Sequence, residues 1–121
     1  MKYMFNGHGN AFNQPIEDWD VSSVTNMEGM FGGCDSFNQD ISNWDVSNVT
    51  TMEGMFYSTY SFNQPIGKWN VSKVTNMRVM FSCCIAFNQD ISKWDVSNVT
   101  NSDGMFEDCE LMQYIHIPSY F

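Results

Sequence analysis

The sequence has little basic charge and no long apolar segment. Of its 121 residues, 14 are Asp or Glu and 5 are Lys or Arg, which gives a formal net charge of -9 at pH 7. This charge repels phosphate backbones and anionic lipid surfaces, so nucleic acid and membrane partners are disfavoured. No apolar run reaches the roughly 20 residues that a bilayer-spanning helix needs.

The sequence also has few cysteines and no predicted export signal. Four cysteines are too few for a disulfide scaffold, so burial of side chains must supply most of the stability. The first residues contain Lys2 but no apolar core of signal-peptide length, so no export signal is predicted. The hydrophobic content of 43% excludes a disordered chain.

What the sequence does contain is a repeat with a period of 25 residues. One unit reads F-N-Q-[P/D]-I-x-x-W-[D/N]-V-S-x-V-T-x-[M/S]-x-x-M-F, followed by five variable residues, and four copies fill residues 12–111. We predict one domain over 1–121, with a partial unit at 1–11 and a C-terminal cap at 112–121. One unit cannot bury its apolar face alone, so the coils are expected to stack around a shared core.

Two local patterns predict the structure of a coil. The spacing I-x-x-W-x-V is typical of a short strand, with Trp44 and Val46 on one face and Asp45 on the other. Thr50 and Glu53 have the spacing of a capping box, which predicts a helix of about two turns after the strand. The predicted fold class is therefore an α/β solenoid of four 25-residue coils, each with a short strand and a short helix.

The repeat also carries a family resemblance. The tract W-D-V-S-N-V-T-N-M-x-x-M-F-x-x-C-x-x-F-N-Q-D-I-S resembles the bacterial surface-protein repeat of about 25 residues that occurs in mycoplasma lipoprotein-like proteins and is grouped with BspA-like leucine-rich repeats. The tail from Cys109 to Pro118 is similar to the BspA-type unit C-x-x-L-x-x-I-x-I-P. The resemblance implies a right-handed leucine-rich-repeat-like solenoid that works in recognition or adhesion without catalysis, at the cell surface or after secretion.

One outward face of the predicted strands is the candidate interaction surface. Asp20, Asp45 and Asp95 share a repeat position with Asn70, and the positions beside them vary from acidic to basic along the chain. A binding surface on a repeat scaffold is expected where the copies differ, because the shared positions form the core. We therefore predict a protein partner bound by Glu17, Asp18, Asp20, Asp45, Lys68, Asn70, Lys93 and Asp95.

The aspartate column leaves two interpretations open. Stacked carboxylates repel each other unless a cation or a partner's positive charge lies over them, which favours a calcium or cationic-ligand strip. The alternative is a solvated polar face, and Asn70 interrupts the column in a way that a dedicated metal cage would not. No metal or other cofactor is predicted.

Two further columns have mainly structural interpretations. Asn13, Asn38, Asn63 and Asn88, each followed by Gln, are expected to hydrogen-bond along the stack, with an exposed sugar-binding array as the alternative. Cys34, Cys84 and Cys109 share a position with Thr59, which indicates a small buried site. Adjacent coils bring Cys84 and Cys109 within disulfide reach, and a zinc site with Cys83 and His116 is a weaker alternative.

Catalysis lacks its usual base. His8 and His116 are near opposite ends of the predicted stack, so no His-centred dyad or triad can form. We predict a non-catalytic protein-interaction or adhesion module. The alternatives are a structural repeat fragment, a cation-binding solenoid and, as the weakest, a small β-solenoid hydrolase that uses paired aspartates.

Overall fold

The computed structural model describes residues 1–7 and 9–119, and this part of the chain is a stack of 25-residue coils built from turns. Its regular secondary structure consists of one 3₁₀ helix, Tyr114–His116, and isolated parallel bridges. The bridges join Asn26 to Thr51, Thr51 to Asn76, and Asn76 to Asn101. None of the described helical residues forms a segment long and apolar enough to cross a bilayer.

The segment predicted to be a strand is a pair of turns. In the second copy, the amide of Trp44 donates to the carbonyl of Ile41 at 3.1 Å, and the amide of Val49 donates to the carbonyl of Val46 at 3.0 Å. Each bond closes the backbone within three residues, whereas a strand runs straight and bonds only to its neighbours. The predicted strand in each coil is therefore wrong.

The segment that follows these turns stacks directly on the corresponding segments of the neighbouring coils. We call it the turn segment, and it comprises residues 26–33, 51–58, 76–83 and 101–108. Every second amide of one turn segment donates to a carbonyl of the following one, and the amides between them close turns within their own coil. From the first copy to the second, these bonds run from Met27 to Thr51, Gly29 to Glu53, Phe31 to Met55 and Gly33 to Tyr57, at 2.8–3.1 Å.

The predicted helix after each threonine is also absent. Gly54 has a φ of +59°, in the left-handed region that a right-handed helix cannot contain. The hydroxyl of Thr50 donates to the carbonyl of Thr25 in the previous coil at 3.2 Å instead of capping Glu53. Without strands or helices in the coils of the described residues, the leucine-rich-repeat-like α/β solenoid is the wrong fold class.

Two columns of phenylalanine rings form the centre of the stack. The rings of Phe5, Phe31, Phe56, Phe81 and Phe106 lie 5.6–5.8 Å apart along the first column. Those of Phe12, Phe37, Phe62 and Phe87 lie 5.9 Å apart along the second. Buried Met, Ile and Val side chains of the repeat surround both columns. The shared repeat positions therefore make one continuous apolar core.

Three tryptophans are buried beside these columns. Trp44, Trp69 and Trp94 are each 4% exposed, whereas Trp19 is 39% exposed. The indole Nε1 of each buried tryptophan donates to the isoleucine carbonyl of the preceding coil at 3.0–3.1 Å. The tryptophan column of the repeat is thus buried in three of its four members.

Candidate functional site

The residues predicted as the interaction surface all lie on the outside of the stack. We call this surface the Asp–Ser face, and it includes the serines that follow the column at positions 22, 47, 72 and 97. The eight predicted residues are exposed: Glu17, Asp18, Asp20, Asp45, Lys68, Asn70, Lys93 and Asp95. Their side chains are free to meet solvent or a partner.

The aspartates of the Asp–Ser face close local turns. Oδ1 of Asp45 accepts hydrogen bonds from the Ser47 amide at 3.0 Å and from the Ser47 hydroxyl at 2.5 Å. Asn70 accepts the corresponding bond from the Ser72 amide at 3.1 Å. An Asx turn needs only an acceptor oxygen, so Asp and Asn serve equally at this position. The column therefore has a structural explanation that requires no ligand.

The same bonds set the acidity of these carboxyl groups. The hydroxyl of Ser47, and then its amide, lower the pKa of Asp45 below the usual value, and the charge of Asp20 raises it by a smaller amount. Serine hydrogen bonds likewise lower the pKa of Asp20 and Asp95. These carboxylates are therefore stabilised as anions by their own turns.

No metal centre is formed in the part of the chain that the structure describes. No group of three or more His, Cys, Asp or Glu side chains there could hold an ion, and that includes Cys83, Cys84, Cys109 and His116. His8 lies outside the described residues, so its predicted separation from His116 stays a prediction.

The asparagine column is used along the stack. The amide of Asn38 donates to Oδ1 of Asn13 at 2.9 Å. Nε2 of Gln39 donates to the carbonyl and to Oδ1 of Asn13, at 3.0 and 2.9 Å. The same three bonds recur in the next two copies. The expected structural role of the column is confirmed.

The cysteine column supplies buried donors. Sγ of Cys84 donates to the carbonyl of Phe56 at 2.7 Å, and Oγ1 of Thr59 donates to the carbonyl of Phe31 at 2.9 Å. Either residue satisfies the position because a thiol and a hydroxyl can both donate. Cys84 and Cys109 are free thiols, so no disulfide joins them. Burial raises the pKa of Cys109 to about 11.

The turn segments form a second exposed surface, on the side of each coil that was predicted to be helical. It is a groove of about 520 Å³, lined from Tyr3 at one end to Asp108 at the other. We call it the turn-segment groove. Its lining includes residues from all four copies, among them Glu28, Glu53, Tyr57, Arg78, Cys83 and Glu107.

The charges of the groove differ between its two ends. Near the N-terminal end, Lys2 Nζ lies 3.1 Å from Glu28 Oε2. In the middle, Arg78 Nη1 lies 3.1 Å from Glu53 Oε1.

At the other end of the groove, Glu107 and Asp108 are exposed and form no ion pair with any described residue. Their charges are compensated by neither a lysine nor an arginine. The negative potential of the groove is therefore strongest at its C-terminal end.

Groove positions vary from copy to copy, in contrast to the core. Tyr57, Ser82 and Glu107 line the groove at one repeat position, where the first copy has the buried Gly32. Cys83 and Asp108 line it at the next position, where the earlier copies have the buried Gly33 and Ser58. The five variable residues that follow each M-F pair were the available signal. The sequence prediction placed the interaction surface on the predicted strands and not beside these residues.

Comparison with known families identifies a relative for the repeat. The chain matches, over residues 1–117, the family described as "Mycoplasma protein of unknown function, DUF285". Since the match covers nearly the whole chain, the chain belongs to this family, and the predicted likeness to a mycoplasma repeat is confirmed at that level. No curated protein and no solved structure matches the chain.

Proposed function

We propose that this member of the DUF285 family is a non-catalytic protein-interaction module that binds a basic, extended segment of another protein in the turn-segment groove. The observation that supports this proposal is the variation of the groove lining over a constant core. Tyr57, Ser82 and Glu107 of the lining occupy one equivalent position, whereas the neighbouring Phe is the same in every copy. A repeat scaffold that recognises a partner carries its differences on the binding surface.

The groove has the shape that an extended segment needs. It crosses successive coils, so each coil contributes one short stretch of wall. Tyr3 is 50% exposed and Tyr57 is 38% exposed, and both line the groove. Tyrosine combines a large contact area with a hydrogen-bonding group, and it is enriched in protein interfaces.

The charge of the groove selects a basic partner. Glu107 and Asp108 are exposed carboxylates without an ion-pair partner among the described residues. A lysine or arginine of the partner would pair with them, and the acidic surface would speed its approach. The net charge of -9 acts in the same direction over the whole surface.

The Asp–Ser face is the weaker candidate for the same role. Its aspartates already accept two hydrogen bonds each from their own serines, at 2.5–3.1 Å. A partner would have to compete with these turns. Glu17 and Asp18 are the acidic residues of that face outside the column, and they provide a matched comparison.

Two double variants with equal charge changes separate the surfaces. The probe is a labelled peptide that contains Lys, Arg and Tyr, with a peptide that carries Glu in place of each basic residue as its control. We expect the Glu107→Gln, Asp108→Asn variant to bind the basic peptide about tenfold more weakly, because two charge contacts of under 1 kcal/mol each are lost. The Glu17→Gln, Asp18→Asn variant should bind within twofold of the parent, as measured by fluorescence anisotropy.

Two results would change or end the proposal. If only the Glu17→Gln, Asp18→Asn variant loses affinity, the Asp–Ser face is the binding site, as the sequence alone predicted. If the parent binds the acidic control peptide as well as the basic one, the groove does not recognise basic segments. Asparagine tolerates the φ of +55° at position 108, so the first variant should fold normally.

The resemblance to surface proteins extends the proposal to adhesion. A partner on another cell and a partner on the same cell would present the same chemistry to the groove. The likeness of the tail from Cys109 to Pro118 to BspA-type units stays a prediction, and binding of a basic segment does not require it.

A further inference from the structure

One residue on the floor of the turn-segment groove is held in a strained conformation. Val79 lines the groove and has a φ of +48°. The same repeat position holds Gly29, Gly54 and Gly104 in the other copies, with φ values from +59° to +64°. A β-branched residue is an outlier in this region, whereas glycine is not. Such outliers cluster at ligand-binding sites, so the strain marks Val79 as a candidate functional residue of the groove.

The side chain of Val79 separates two glycines. The position that a Cβ of Gly54 would take lies 3.9 Å from Cγ2 of Val79 and 3.8 Å from Cβ of Tyr57. The position that a Cβ of Gly104 would take lies 3.2 Å from Cγ1 of Val79 and 3.3 Å from Oε2 of Glu107. We call the space between Tyr57 and Val79, above the buried Gly54, the first subsite. The space between Val79 and Glu107, above the exposed Gly104, is the second subsite.

The wall of the groove varies in the opposite sense to its floor. At the wall position, Tyr57 and Glu107 have large exposed side chains, whereas Ser82 between them is small and buried. A high wall thus accompanies a glycine floor in the second and fourth copies, and a low wall accompanies Val79 in the third. The two subsites therefore lie two coils apart, with a raised floor between them.

The first subsite is apolar. Its walls are Tyr57, which is 38% exposed, and Cγ2 of Val79. The carboxylate of Glu53 in the same copy is compensated, because Arg78 Nη1 donates to one of its oxygens at 3.1 Å and Asn76 Nδ2 donates to the other at 2.8 Å. An apolar or aromatic side chain of a partner therefore fits this subsite.

The second subsite is acidic on one side and apolar on the other. Oε2 of Glu107 and Cγ1 of Val79 both face the space above Gly104. Glu107 and Asp108 form no ion pair with any described residue. Lysine and arginine have apolar stems and charged ends. Such a side chain can pack its stem on Val79 and place its charge beside Glu107.

The distance between the subsites selects the conformation of the bound segment. Adjacent turn segments are joined by backbone hydrogen bonds of 2.8–3.1 Å. Chains joined in this way lie about 4.8 Å apart, which places the subsites about 9.6 Å apart. A strand presents every second residue on one face, at about 6.7 or 13.4 Å. A polyproline II helix has three residues per turn and rises about 3.1 Å per residue, so every third residue faces the same way at about 9.3 Å. The polyproline II spacing matches the subsites.

We propose that the groove binds a polyproline II segment with an apolar residue and a Lys or Arg three positions apart, and that Val79 sets this register by separating the two side chains. The inference rests on the proposed function of the groove and specifies its partner. Polyproline II segments dock in grooves lined by aromatic side chains, as Tyr57 lines this one. Because such a segment is already extended before it binds, little conformational entropy is lost.

A series of peptides tests the register. The probes are labelled proline-based peptides that contain one Leu and one Lys, separated by two, three or four positions and made in both orders. We expect the parent to bind a peptide with the three-position spacing about fivefold more tightly than the others, because they reach only one of the two subsites. Fluorescence anisotropy measures the binding.

Two variants of Val79 separate recognition from stability. Val79→Gly should bind all three spacings within twofold of one another, because the two subsites then merge. The same variant should melt no lower than the parent, since glycine relieves the strain at this φ. Val79→Ile is the control, because isoleucine keeps both γ carbons and should keep the preference for the three-position spacing.

Three results would overturn the inference. The first is a parent that binds the three spacings equally, the second is a parent that prefers two or four positions, and the third is a Val79→Gly variant that keeps the preference of the parent. If the peptide that contains Lys, Arg and Tyr binds while the proline series is not discriminated, the proposed function stands and this inference alone is wrong. If none of the peptides binds, both are wrong.

Discussion

The first two copies of the repeat have nearly the same pattern and different surroundings. Trp44 is 4% exposed and its Nε1 donates to the carbonyl of Ile16 at 3.1 Å, whereas Trp19 is 39% exposed. The two tryptophans differ in exposure because a preceding coil covers Trp44 and no described coil covers Trp19. In a stacked repeat, a side chain therefore contributes to stability mainly through the neighbouring coil.

The largest expected effect comes from the tryptophans of these two copies. Replacing Trp44 by Ala should lower the free energy of unfolding by about 3–5 kcal/mol, because it opens a cavity and removes a buried hydrogen bond. Replacing Trp19 should cost about 1 kcal/mol, because much of its surface is already in water. Urea denaturation followed by circular dichroism measures both.

Trp69→Ala is the control, because Trp69 has the same 4% exposure as Trp44 and the same bond to the previous coil. Its cost should match that of Trp44→Ala. Equal losses for Trp19→Ala and Trp44→Ala would show that coverage by a preceding coil does not determine the contribution of the tryptophan.

A second comparison sets the turn segment of the second copy against that of the third. Gly54 and Val79 occupy the same repeat position, with φ values of +59° and +48°. A β-branched residue is strained in this region, whereas glycine is not. We expect Gly54→Val to lose about 1–2 kcal/mol of unfolding free energy, and Val79→Gly to gain about 1 kcal/mol or less.

Gly54 is the suitable position because an added Cβ would meet no atom closer than 3.8 Å. A loss in the Gly54→Ala variant would therefore report backbone strain and not a clash of the Cβ. Gly54→Ala provides the control, since alanine keeps the strained φ without the branched side chain. A Gly54→Val variant as stable as the parent would contradict the assignment of this backbone conformation. Thermal melting is sufficient to rank the variants.

The smallest expected effect compares Asp45 with Asn70, its counterpart in the third copy. Serine hydrogen bonds lower the pKa of Asp45 and Asp95 in the folded chain below the ordinary value of 3.8. Such groups stabilise the fold above the unfolded pKa, and the contribution is lost as the pH falls through the folded pKa. The melting temperature of the parent should therefore fall between about pH 5 and pH 3.

The Asp45→Asn, Asp95→Asn variant copies the third repeat and removes two titrating groups. Its melting temperature should fall less over the same pH range, although the other carboxylates still contribute. The difference should be small because the carboxylates are exposed to solvent. A pH dependence equal to that of the parent would show that the Asx turns do not depend on the charge of the aspartate.

The repeat, its core and its amide ladder could be predicted from the sequence. Phe, Trp, Val and Met recur every 25 residues, and burial follows that recurrence. The amide ladder that begins with Asn13 could also be predicted, because identical amides on stacked coils have few other partners. These features depend on which residues recur, and this recurrence can be read directly from the amino-acid sequence.

The backbone of each coil could not be predicted in the same way. The spacing of Trp44 and Val46 fits a strand, and the spacing of Thr50 and Glu53 fits a capping box, but consecutive turns place the same residues equally well. Gly29, Gly54 and Gly104 mark the left-handed positions, although Val79 holds the same conformation and hides the pattern in the third copy. The groove shape formed by the turn segments could therefore not be predicted.

The sequence by itself determined the period, the identity of the core and the acidic surface of this protein, because these are properties of composition and spacing. Only the tertiary structure decided that the coils are built from turns. A backbone amide can donate to a carbonyl of its own coil or to a carbonyl of the next coil, and the local sequence does not determine which acceptor it uses. The stacked neighbour does so by offering a carbonyl to every second amide of each turn segment.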